Sequence, residues 1–325
     1  MIEVIKPGLE TAVQDYPGRK GCFGFGFPPS GPIDHWSFRL ANLLVDNAAS
    51  AAGLEMAFAG PTLRFEEDAV IALTGADMQA ALDGRPIPLW ESVAVRAGEV
   101  LAMDYATSGG RGYLAVAGGI DAPLFLGSRS TCLLAMAGGW EDGPLKAGQE
   151  LPVGTERIGK PARRVRASAR PVLSDDKRWI VECVRGPNDD WIDEAAHERW
   201  FSEGWSVSSS SNRIGYRLDG PEWTFAGKAT NKAPENGEDP SNIIDHGYPI
   251  GGVNLSGQTP IILMNDCLIL GGFINPYTVP HGEFWKLGQS QPGDVYRFCE
   301  VSVDQAQASR RGIDSLCTPD SIEAC

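Results

Sequence analysis

The run Val70-Ile71-Ala72-Leu73-Thr74 decides the fold class, because it is short and apolar, includes β-branched residues and ends at a glycine. Similar runs recur at Tyr113-Leu114-Ala115-Val116-Ala117 and Ile261-Ile262-Leu263-Met264. Short strands separated by turns favour barrels or sandwiches over alternating strand and helix units. We therefore predict a mainly β protein.

The turns between these runs follow a common formula. Gly98, Gly148 and Gly293 each stand just before an apolar run, where a turn requires a positive φ angle. A weak internal echo links residues 60–65 (GPTLRF) with residues 220–225 (GPEWTF). Two related barrels would produce such an echo.

The length of 325 residues predicts two domains. We expect a first domain over 1–155, a linker or crossover over 156–178, a second domain over 179–303 and a C-terminal helix or tail over 304–325. The segment 154–178 carries eight Lys or Arg residues against three acids, which indicates a solvated connection. Few helices are expected: one opened by Ser30-Gly31-Pro32, one over 188–201 and one over 304–316.

The composition excludes some functions and favours one location. The net charge of −14 argues against nucleic acid as a partner, since phosphate binding needs a positive surface. No stretch approaches the ~20 consecutive apolar residues of a membrane helix, and the N-terminus lacks the form of a signal peptide. The seven cysteines are scattered, odd in number and never form CxxC. That pattern is typical of reduced thiols, so we predict a cytoplasmic protein without a membrane partner.

Familiar catalytic motifs are missing from the sequence. There is no GxxxxGK[ST] phosphate loop, no GxSxG nucleophile elbow and no HxxH or HExxH spacing among the four histidines. We therefore expect no metal site, and a chain that holds a small polar substrate while partner chains complete the chemistry.

Several polar clusters are candidate binding sites, each with a structural alternative. The glycine-rich stretch 21–31 leads into a helix whose free N–H groups suit an anion, and Asp34 in its first turn could orient a substrate or complement the helix dipole. Arg129, beside Ser130, could clamp a carboxylate or cap carbonyl groups. Asn212 and Arg213 supply planar donors for a bicarbonate-like or urea-like group, or an ion pair between strands.

Candidates for proton transfer lie further along the chain. Asp266, after Asn265, ends an apolar strand and could accept N–H bonds or act as a base, although a turn aspartate is the alternative. His246 could transfer protons near neutral pH, or be a surface residue. The polar segment 226–242 fits a mobile lid or a disordered loop.

A family resemblance rests on a series of strings in order along residues 1 to about 303. The chain resembles the carboxyltransferase A/B region of urea carboxylase (urea amidolyase), also called allophanate hydrolase subunit 2 and related to the C subunit of 5-oxoprolinase. The matching strings are PGLETAVQD (7–15), PSGPID (29–34), GLE (53–55), GPTLRF (60–65), ALTGA (72–76), GSRST (127–131), NRIGYR (212–217) and GGF (271–273).

The resemblance implies two cyclophilin-like β-barrel subdomains and a cleft completed by a second carboxyltransferase subunit, similar to allophanate hydrolase subunit 1. It also implies a biotin carboxylase and a separate biotin carrier that supplies carboxybiotin, so that the chain binds no cofactor tightly of its own. The carboxyl group then passes to the nitrogen of a small amide.

The chemistry of such a site suggests roles for the residues named above. Arg213 and Arg129 are assigned to anion holding, Asn212 to substrate orientation, and Asp266 or His246 to proton transfer. Ser30, Asp34, Ser130 and Asn265 complete the binding set.

Some strings depart from urea carboxylase. Urea carboxylases usually carry Asn-Ala where His246-Gly247 stands, and both Asp245-His246-Gly247 and Met264-Asn265-Asp266 are more similar to the 5-oxoprolinase subunit. The substrate is therefore open among urea, guanidine, 5-oxoproline and another amide. A subunit of an ATP-dependent 5-oxoprolinase-type amide hydrolase and a non-catalytic regulatory subunit remain alternatives.

Overall fold

The computed structural model describes residues 1–154 and 161–325, and these residues form a mainly β protein with few helices, as predicted. The expected domain boundary at residue 155 and the start of the expected linker at 156 lie outside the described residues. The other domain limits stay predictions.

The first half of the chain builds two antiparallel sheets that face each other. One sheet has the order β11-β1-β4-β9-β6-β7 and the other β2-β3-β10-β5-β8, and apolar side chains of both, among them Leu54, Leu63 and Leu114, fill the space between them. The strands are β1 (Ile2–Lys6), β2 (Ala12–Gln14), β3 (Gly53–Ala57), β4 (Thr62–Phe65), β5 (Ala69–Asp77), β6 (Ala81–Leu82), β7 (Arg85–Pro86), β8 (Ser92–Val95), β9 (Val100–Ala102), β10 (Ser108–Val116) and β11 (Glu150–Leu151).

The second half contains a closed barrel in the order β13-β20-β17-β18-β15-β14-β21. Large aromatic side chains, including Trp200, Trp205 and Tyr277, fill its core. Strands β16 and β19 pair outside this barrel as a separate small sheet. The strands are β12 (Arg163–Val165), β13 (Arg178–Arg185), β14 (Trp205–Val207), β15 (Gly215–Asp219), β16 (Asn242–Gly247), β17 (Gly252–Ser256), β18 (Thr259–Leu263), β19 (Leu270–Phe273), β20 (Tyr277–Thr278), β21 (Val295–Glu300) and β22 (Ile322–Ala324).

Helices occupy the three predicted places and a few short segments elsewhere. The α-helices are α1 (His35–Leu44), α2 (Glu194–Ser202), α3 (Gly227–Thr230), α4 (Phe284–Gln289) and α5 (Val303–Leu316). Single 3₁₀ turns lie at Phe23–Phe25, Ala167–Ala169, Asp189–Trp191, Pro234–Asn236, His281–Glu283 and Pro319–Ser321. The segment 226–242 is thus folded as α3, a 3₁₀ turn and the start of β16.

Helix α1 begins later than the sequence predicted. Asp34, not Ser30, is its N-cap, because the Asp34 carboxylate accepts a hydrogen bond from the Ser37 N–H at 2.9 Å. Ser30 and Gly31 have φ angles of +54° and +81°, so the chain makes a left-handed turn before the helix. Gly31 is required there, since an added Cβ would lie 3.2 Å from the carbonyl oxygen of Asp15.

The crossover is less solvated than its charge suggested. Strand β12 pairs with β22 near the C-terminus, and Val165 and Ala169 are buried against α1 and α5 together with Ile313. Basic side chains such as Arg164 point outward and pair with Glu323 at 2.8 Å. The described part of the segment is therefore an ordered connection rather than a free linker.

Two further expectations from the sequence have structural outcomes. The two similar strings, 60–65 and 220–225, do not form equivalent strands. Thr62–Phe65 is strand β4, whereas Phe225 makes an isolated bridge with Ile192. All seven cysteines are unpaired, as predicted.

Across residues 1–154 and 161–325, no helix combines the length and the apolar character needed to cross a membrane.

Candidate substrate cavity and the polar junction between the two halves

Arg213 lies at the centre of a buried polar junction between the two halves. Its Nε donates to Asp266 Oδ2 at 3.0 Å, its Nη2 donates to the Gly31 carbonyl at 2.8 Å, and its Nη1 donates to Glu55. Burial alone would lower the pKa of Arg213, but the charges of Asp266 and Glu55 outweigh it and the pKa is raised. Arg213 is therefore a permanent cation held between two acids of the protein.

Glu55, on β3, is the acid that the first half contributes. Its Oε2 accepts from the Tyr113 hydroxyl and from the Ile33 N–H, both at 2.9 Å, and its Oε1 lies 3.3 Å from Arg111 Nε. Arg111 in turn donates to the Tyr216 hydroxyl on barrel strand β15. Burial of these charges is compensated by this mutual pairing, as a buried ion network requires.

Asp34 belongs to the same junction. Its Oδ2 accepts from the Ser37 hydroxyl at 2.5 Å and from Gln289 Nε2 at 2.7 Å. Burial raises the pKa of Asp34 to about 6, although the bonds from Ser37 and Gln289 oppose the rise. Asp34 caps α1 and joins it to α4, with both carboxylate oxygens engaged by the protein.

The N–H groups that the glycine-rich stretch was expected to offer to an anion are already used. Ser30 N–H donates to the Asn265 carbonyl at 3.0 Å, and Gly31 N–H donates to Gln14 Oε1 at 2.9 Å. Asn265 Nδ2 reaches back to the Ser30 carbonyl at 3.1 Å. The backbone N–H groups of Ser30 and Gly31 are therefore not available to an anion, and an anion site elsewhere in the stretch 21–31 stays a prediction.

The turn that carries Arg129 and Ser130 is also held by the protein. Ser130 Oγ donates to Asp15 Oδ1 at 2.6 Å, and the Arg129 N–H donates to Asp15 Oδ2 at 2.7 Å. The Arg129 guanidinium pairs with Asp121 at 2.8 Å and donates to the Ala122 carbonyl. The alternative interpretation, an arginine that caps a carbonyl group, describes this arrangement.

A cavity of about 360 Å³ lies on the outer side of the barrel, between β15, β17 and β18 and the small sheet of β16 and β19. Asn212 is on its wall, and Asn212 Oδ1 accepts from the Ile214 N–H at 2.8 Å, which fixes the side chain. The lining combines apolar walls with a few polar groups: Ser210, Asn212, Ile214, Gly215, Arg217, Tyr248, Asn254, Ser256, Ile261, Leu263, Leu268, Leu270, Gly271, Gly272 and Phe273. Binding sites for small molecules usually have this composition.

His246 and Asp266, the two residues predicted to transfer protons, lie in different parts of the structure. His246 lies beside the cavity, with its ring edge-on to Tyr248 at 5.3 Å between ring centres and its Nε2 3.0 Å from the Phe273 carbonyl. Asp266 is fully buried in the junction, where its Oδ2 also accepts from the Leu133 N–H at 3.0 Å. The cavity wall thus includes Asn212, and His246 stands near it, while Arg213 and Asp266 face the interior.

Sequence reasoning missed Asn254 and Tyr248 as cavity residues. Asn254 is 4% exposed, and its side chain lies beside the Tyr248 hydroxyl. The Tyr248 hydroxyl accepts from the Phe273 N–H at 2.8 Å, and burial raises the pKa of Tyr248 although hydrogen bonds with the Asn254 side chain and the Phe273 N–H oppose the rise. The available signal was an asparagine inside the apolar strand GVNLS, at 252–256.

No cluster of three or more His, Cys, Asp or Glu side chains suited to a metal occurs in the described part of the chain.

Comparison with known proteins gives a consistent family. The model of the carboxyltransferase domain, subdomain A and B, matches residues 25–300. Urea amidolyase of Saccharomyces cerevisiae is 38% identical over 319 residues, which cover 96% of this chain and 17% of that protein. The C subunit of 5-oxoprolinase from Escherichia coli is 34% identical over 314 residues, which cover 96% of this chain and 94% of that protein.

A solved structure agrees with the sequence relatives. The urea amidolyase of K. lactis superposes with a TM-score of 0.90 at 36% identity, over 99% of this chain and 20% of that chain. This chain therefore spans a fifth or less of the urea amidolyases that it matches, and nearly the whole of the 5-oxoprolinase subunit.

Proposed function

This chain belongs to the family of carboxyltransferase domains with subdomains A and B, and on that premise we propose that it is one subunit of a biotin-dependent carboxylase. Its task is to pass a carboxyl group from carboxybiotin to the nitrogen of urea or of a urea-like amide or guanidine. The observation that carries the proposal is the match over nearly the whole chain to the urea amidolyases, at 38% identity in one of them.

The reaction fits the polar groups around the cavity. Carboxybiotin supplies the carboxyl group when its carrier is bound. The acceptor nitrogen would take over that carboxyl group and give up one proton, and the biotin nitrogen would take up a proton in its place. In this proposal Asn212, on the cavity wall, orients the planar amide, and His246, whose ring contacts Tyr248 of that wall, serves the proton transfer.

The proposed partners follow from the small share of each urea amidolyase that this chain covers. The matching urea amidolyases contain several times more sequence than this chain, so the proposed reaction needs the functions of their remaining parts beside it. We propose a second carboxyltransferase subunit, a biotin carboxylase and a biotin carrier, all in the cytoplasm.

A component of a 5-oxoprolinase-type hydrolase is the second candidate. The C subunit of the E. coli 5-oxoprolinase matches this chain over 94% of its own length, whereas the urea amidolyases extend far beyond it. The resemblance of Asp245-His246-Gly247 to the 5-oxoprolinase subunit, drawn from the sequence, favours the same candidate.

Avidin separates the two candidates, because it sequesters biotin. The chain is combined with proteins that co-purify with it from its native cell, and turnover of urea, guanidine and 5-oxoproline is measured with ATP. Turnover of urea or guanidine that avidin abolishes supports the carboxylase. Turnover of 5-oxoproline that is insensitive to avidin overturns it in favour of the hydrolase.

A further inference from the structure

Residues 303–325, which we call the strap, fasten the two halves of the chain to each other. The strap consists of α5, β22 and the turn between them. An ion pair of Arg39 Nη1 with Asp314 Oδ1, at 2.6 Å, fixes α5 to α1 of the first half. In the second half α5 packs on the 3₁₀ turn that contains Gly282, where an added Cβ would lie 3.2 Å from the backbone nitrogen of Arg310.

The strap is held by few buried side chains. Of the fourteen residues of α5, Ala306 and Ile313 are buried. The rest of the strap is held by burial of Cys317 and Ile322 and by a short pairing of β22 with β12. Elements with few buried apolar contacts open at a lower free energy than the core. The strap can therefore detach while the sheets and the barrel stay folded.

Two stacked histidines, one from each half, lie beside the strap. The His35 and His281 rings are 4.3 Å apart and 8° from parallel, and His35 is fully buried. His35 Nε2 lies 3.3 Å from the His281 carbonyl oxygen, so this nitrogen carries the proton of a neutral ring. The Nδ1 atoms of both rings are buried and have no hydrogen-bond partner in residues 1–154 and 161–325. Protonation would thus place a positive N–H where no acceptor awaits it.

The charges around the pair also oppose protonation. Arg39 on α1 and Arg310 on α5 repel a further positive charge, while Asp314 on α5 attracts it. Asp314 is already engaged, because it pairs with Arg39 and lies 3.8 Å from Arg310 Nε. The pair is therefore accommodated as two neutral rings.

The other groups near the pair do not supply a counter-charge. The Tyr16 ring stacks on His35 at 5.7 Å between ring centres. Burial raises the pKa of Cys317, which follows α5, to about 12, so its thiol is neutral. Glu283, in the same 3₁₀ turn as His281, pairs with Lys286 at 2.7 Å.

We propose that acid releases the strap: protonation of the His35–His281 pair detaches α5 from α1 and from the 3₁₀ turn, while the two sheets and the barrel stay folded. Once α5 has left, a charged ring gains the hydration that burial denies it. Burial, reinforced by Arg310, lowers the pKa of His281 to about 4, below the value of about 6.5 for an exposed ring. The preference for the attached strap is therefore complete above about pH 6.5 and is lost as the pH falls towards 4.

Hydrogen exchange of the full chain, followed by mass spectrometry and corrected for the intrinsic rate at each pH, tests the release. A ring whose pKa rises from about 4 to about 6.5 on release favours opening roughly thirtyfold more at about pH 5 than at about pH 7.5. We therefore expect the protection of α5 peptides to fall about tenfold or more over this range. Peptides of β5 and β17 should keep their protection.

Variants connect the release to the histidines. His281→Phe keeps an aromatic ring in the stack and removes one titrating group, so the fall in α5 protection should be smaller by about threefold or more. His281→Gln, at a partly exposed position, is a second variant without a titrating ring and should behave in the same way. His246→Phe, on the small sheet of β16 and β19, is the matched control and should show the wild-type fall.

Three results would each overturn the proposal. They are unchanged protection of α5 at about pH 5, an equal loss of protection in β5 and β17, and a wild-type fall in the two His281 variants. If neither variant folds, the comparison of α5 with β5 and β17 in the wild type decides the outcome. The release does not depend on the reaction proposed above, so avidin-sensitive turnover neither supports nor removes it.

Discussion

Arg213 Nε lies 3.0 Å from Asp266 Oδ2, and both side chains are inaccessible to solvent to within a few per cent. The same guanidinium also pairs with Glu55 of the first half. One cation therefore pairs with an acid from each half of the chain, at the place where the halves meet. We therefore expect Arg213 to act mainly by stabilising the folded protein.

We expect Arg213→Met to destabilise the protein by about 3–5 kcal/mol, because it leaves buried Asp266 without its ion-pair partner and leaves Glu55 with Arg111 alone. Urea denaturation followed by tryptophan fluorescence measures the effect. Arg85→Met is the control, since Arg85 is 69% exposed in its pair with Glu99 and an exposed pair contributes at most about 1 kcal/mol. Equal stability of the two variants would contradict the structural role.

Stability at acid pH should depend on a stacked pair of histidines. The His35 and His281 rings are 4.3 Å apart and nearly parallel, and α5 brings Arg310 and Asp314 close to them, while Arg39 lies on α1. Burial, reinforced by Arg310, lowers the pKa of His281 to about 4, and burial lowers the pKa of His35 as well. The folded pKa lies below the unfolded value of about 6.5. The stabilising contribution is therefore present above about pH 6.5 and is lost as the pH falls towards 4.

His281→Phe keeps a ring in the stack and removes the titration of residue 281. From about pH 7.5 to about pH 5, the wild type should lose roughly 1–2 kcal/mol of unfolding free energy relative to this variant. Asp34, whose pKa is raised to about 6, contributes in the opposite direction but is present in both proteins, so its effect cancels. Parallel stability curves for the two proteins would refute the assignment.

Asn212 allows the structural and functional roles of a cavity residue to be separated. Asn212→Ala removes the acceptor for the Ile214 N–H and should cost about 1 kcal/mol of stability. Asn212→Asp keeps that acceptor and loses the amide donor, so its Tm should stay close to the wild-type value while carboxyl transfer falls. Loss of activity in Asn212→Ala alone would show that the turn, and not the donor, matters.

Native thiol labelling should separate the cysteines. Burial raises the pKa of Cys183, Cys267 and Cys317 to about 12, so these thiols are protonated as well as enclosed. Brief treatment with iodoacetamide near neutral pH should leave them unmodified, while exposed Cys325 reacts. Mass spectrometry of peptides gives the result, and the urea-denatured protein, in which all seven thiols react, is the control. Rapid native labelling of Cys183 would contradict the burial described for the barrel core.

The fold was predictable because its signals are local. Apolar runs such as residues 70–74, glycine turns before strands and the periodicity of residues 304–316 each depend on a few neighbouring residues. The start of α1 was misplaced by four residues, since Ser30 and Asp34 are both good N-caps and the choice depends on Asn265 and Gln14, which hold the turn from elsewhere.

The candidate site was harder to predict because its partners are distant in sequence. Arg213 and Glu55 are 158 positions apart, and nothing near either residue announces the other. A polar cluster expected to face a substrate is therefore indistinguishable, in sequence, from one that faces another part of the protein. Asn254 was overlooked because a single asparagine in a strand is a weak sequence pattern, although in three dimensions it is part of the cavity lining.

The side chain of Ile33 belongs to the first half of the sequence but packs in the core of the barrel, and strand β22 closes on β12 beside α1. The protein is consequently a poor candidate for dissection. A fragment ending before the crossover would carry an isoleucine with no apolar surroundings, and the complementary fragment would have a hole where that isoleucine sits. Split reporters, separate crystallisation of the halves and isotope labelling of one half by ligation would all need the two pieces refolded together.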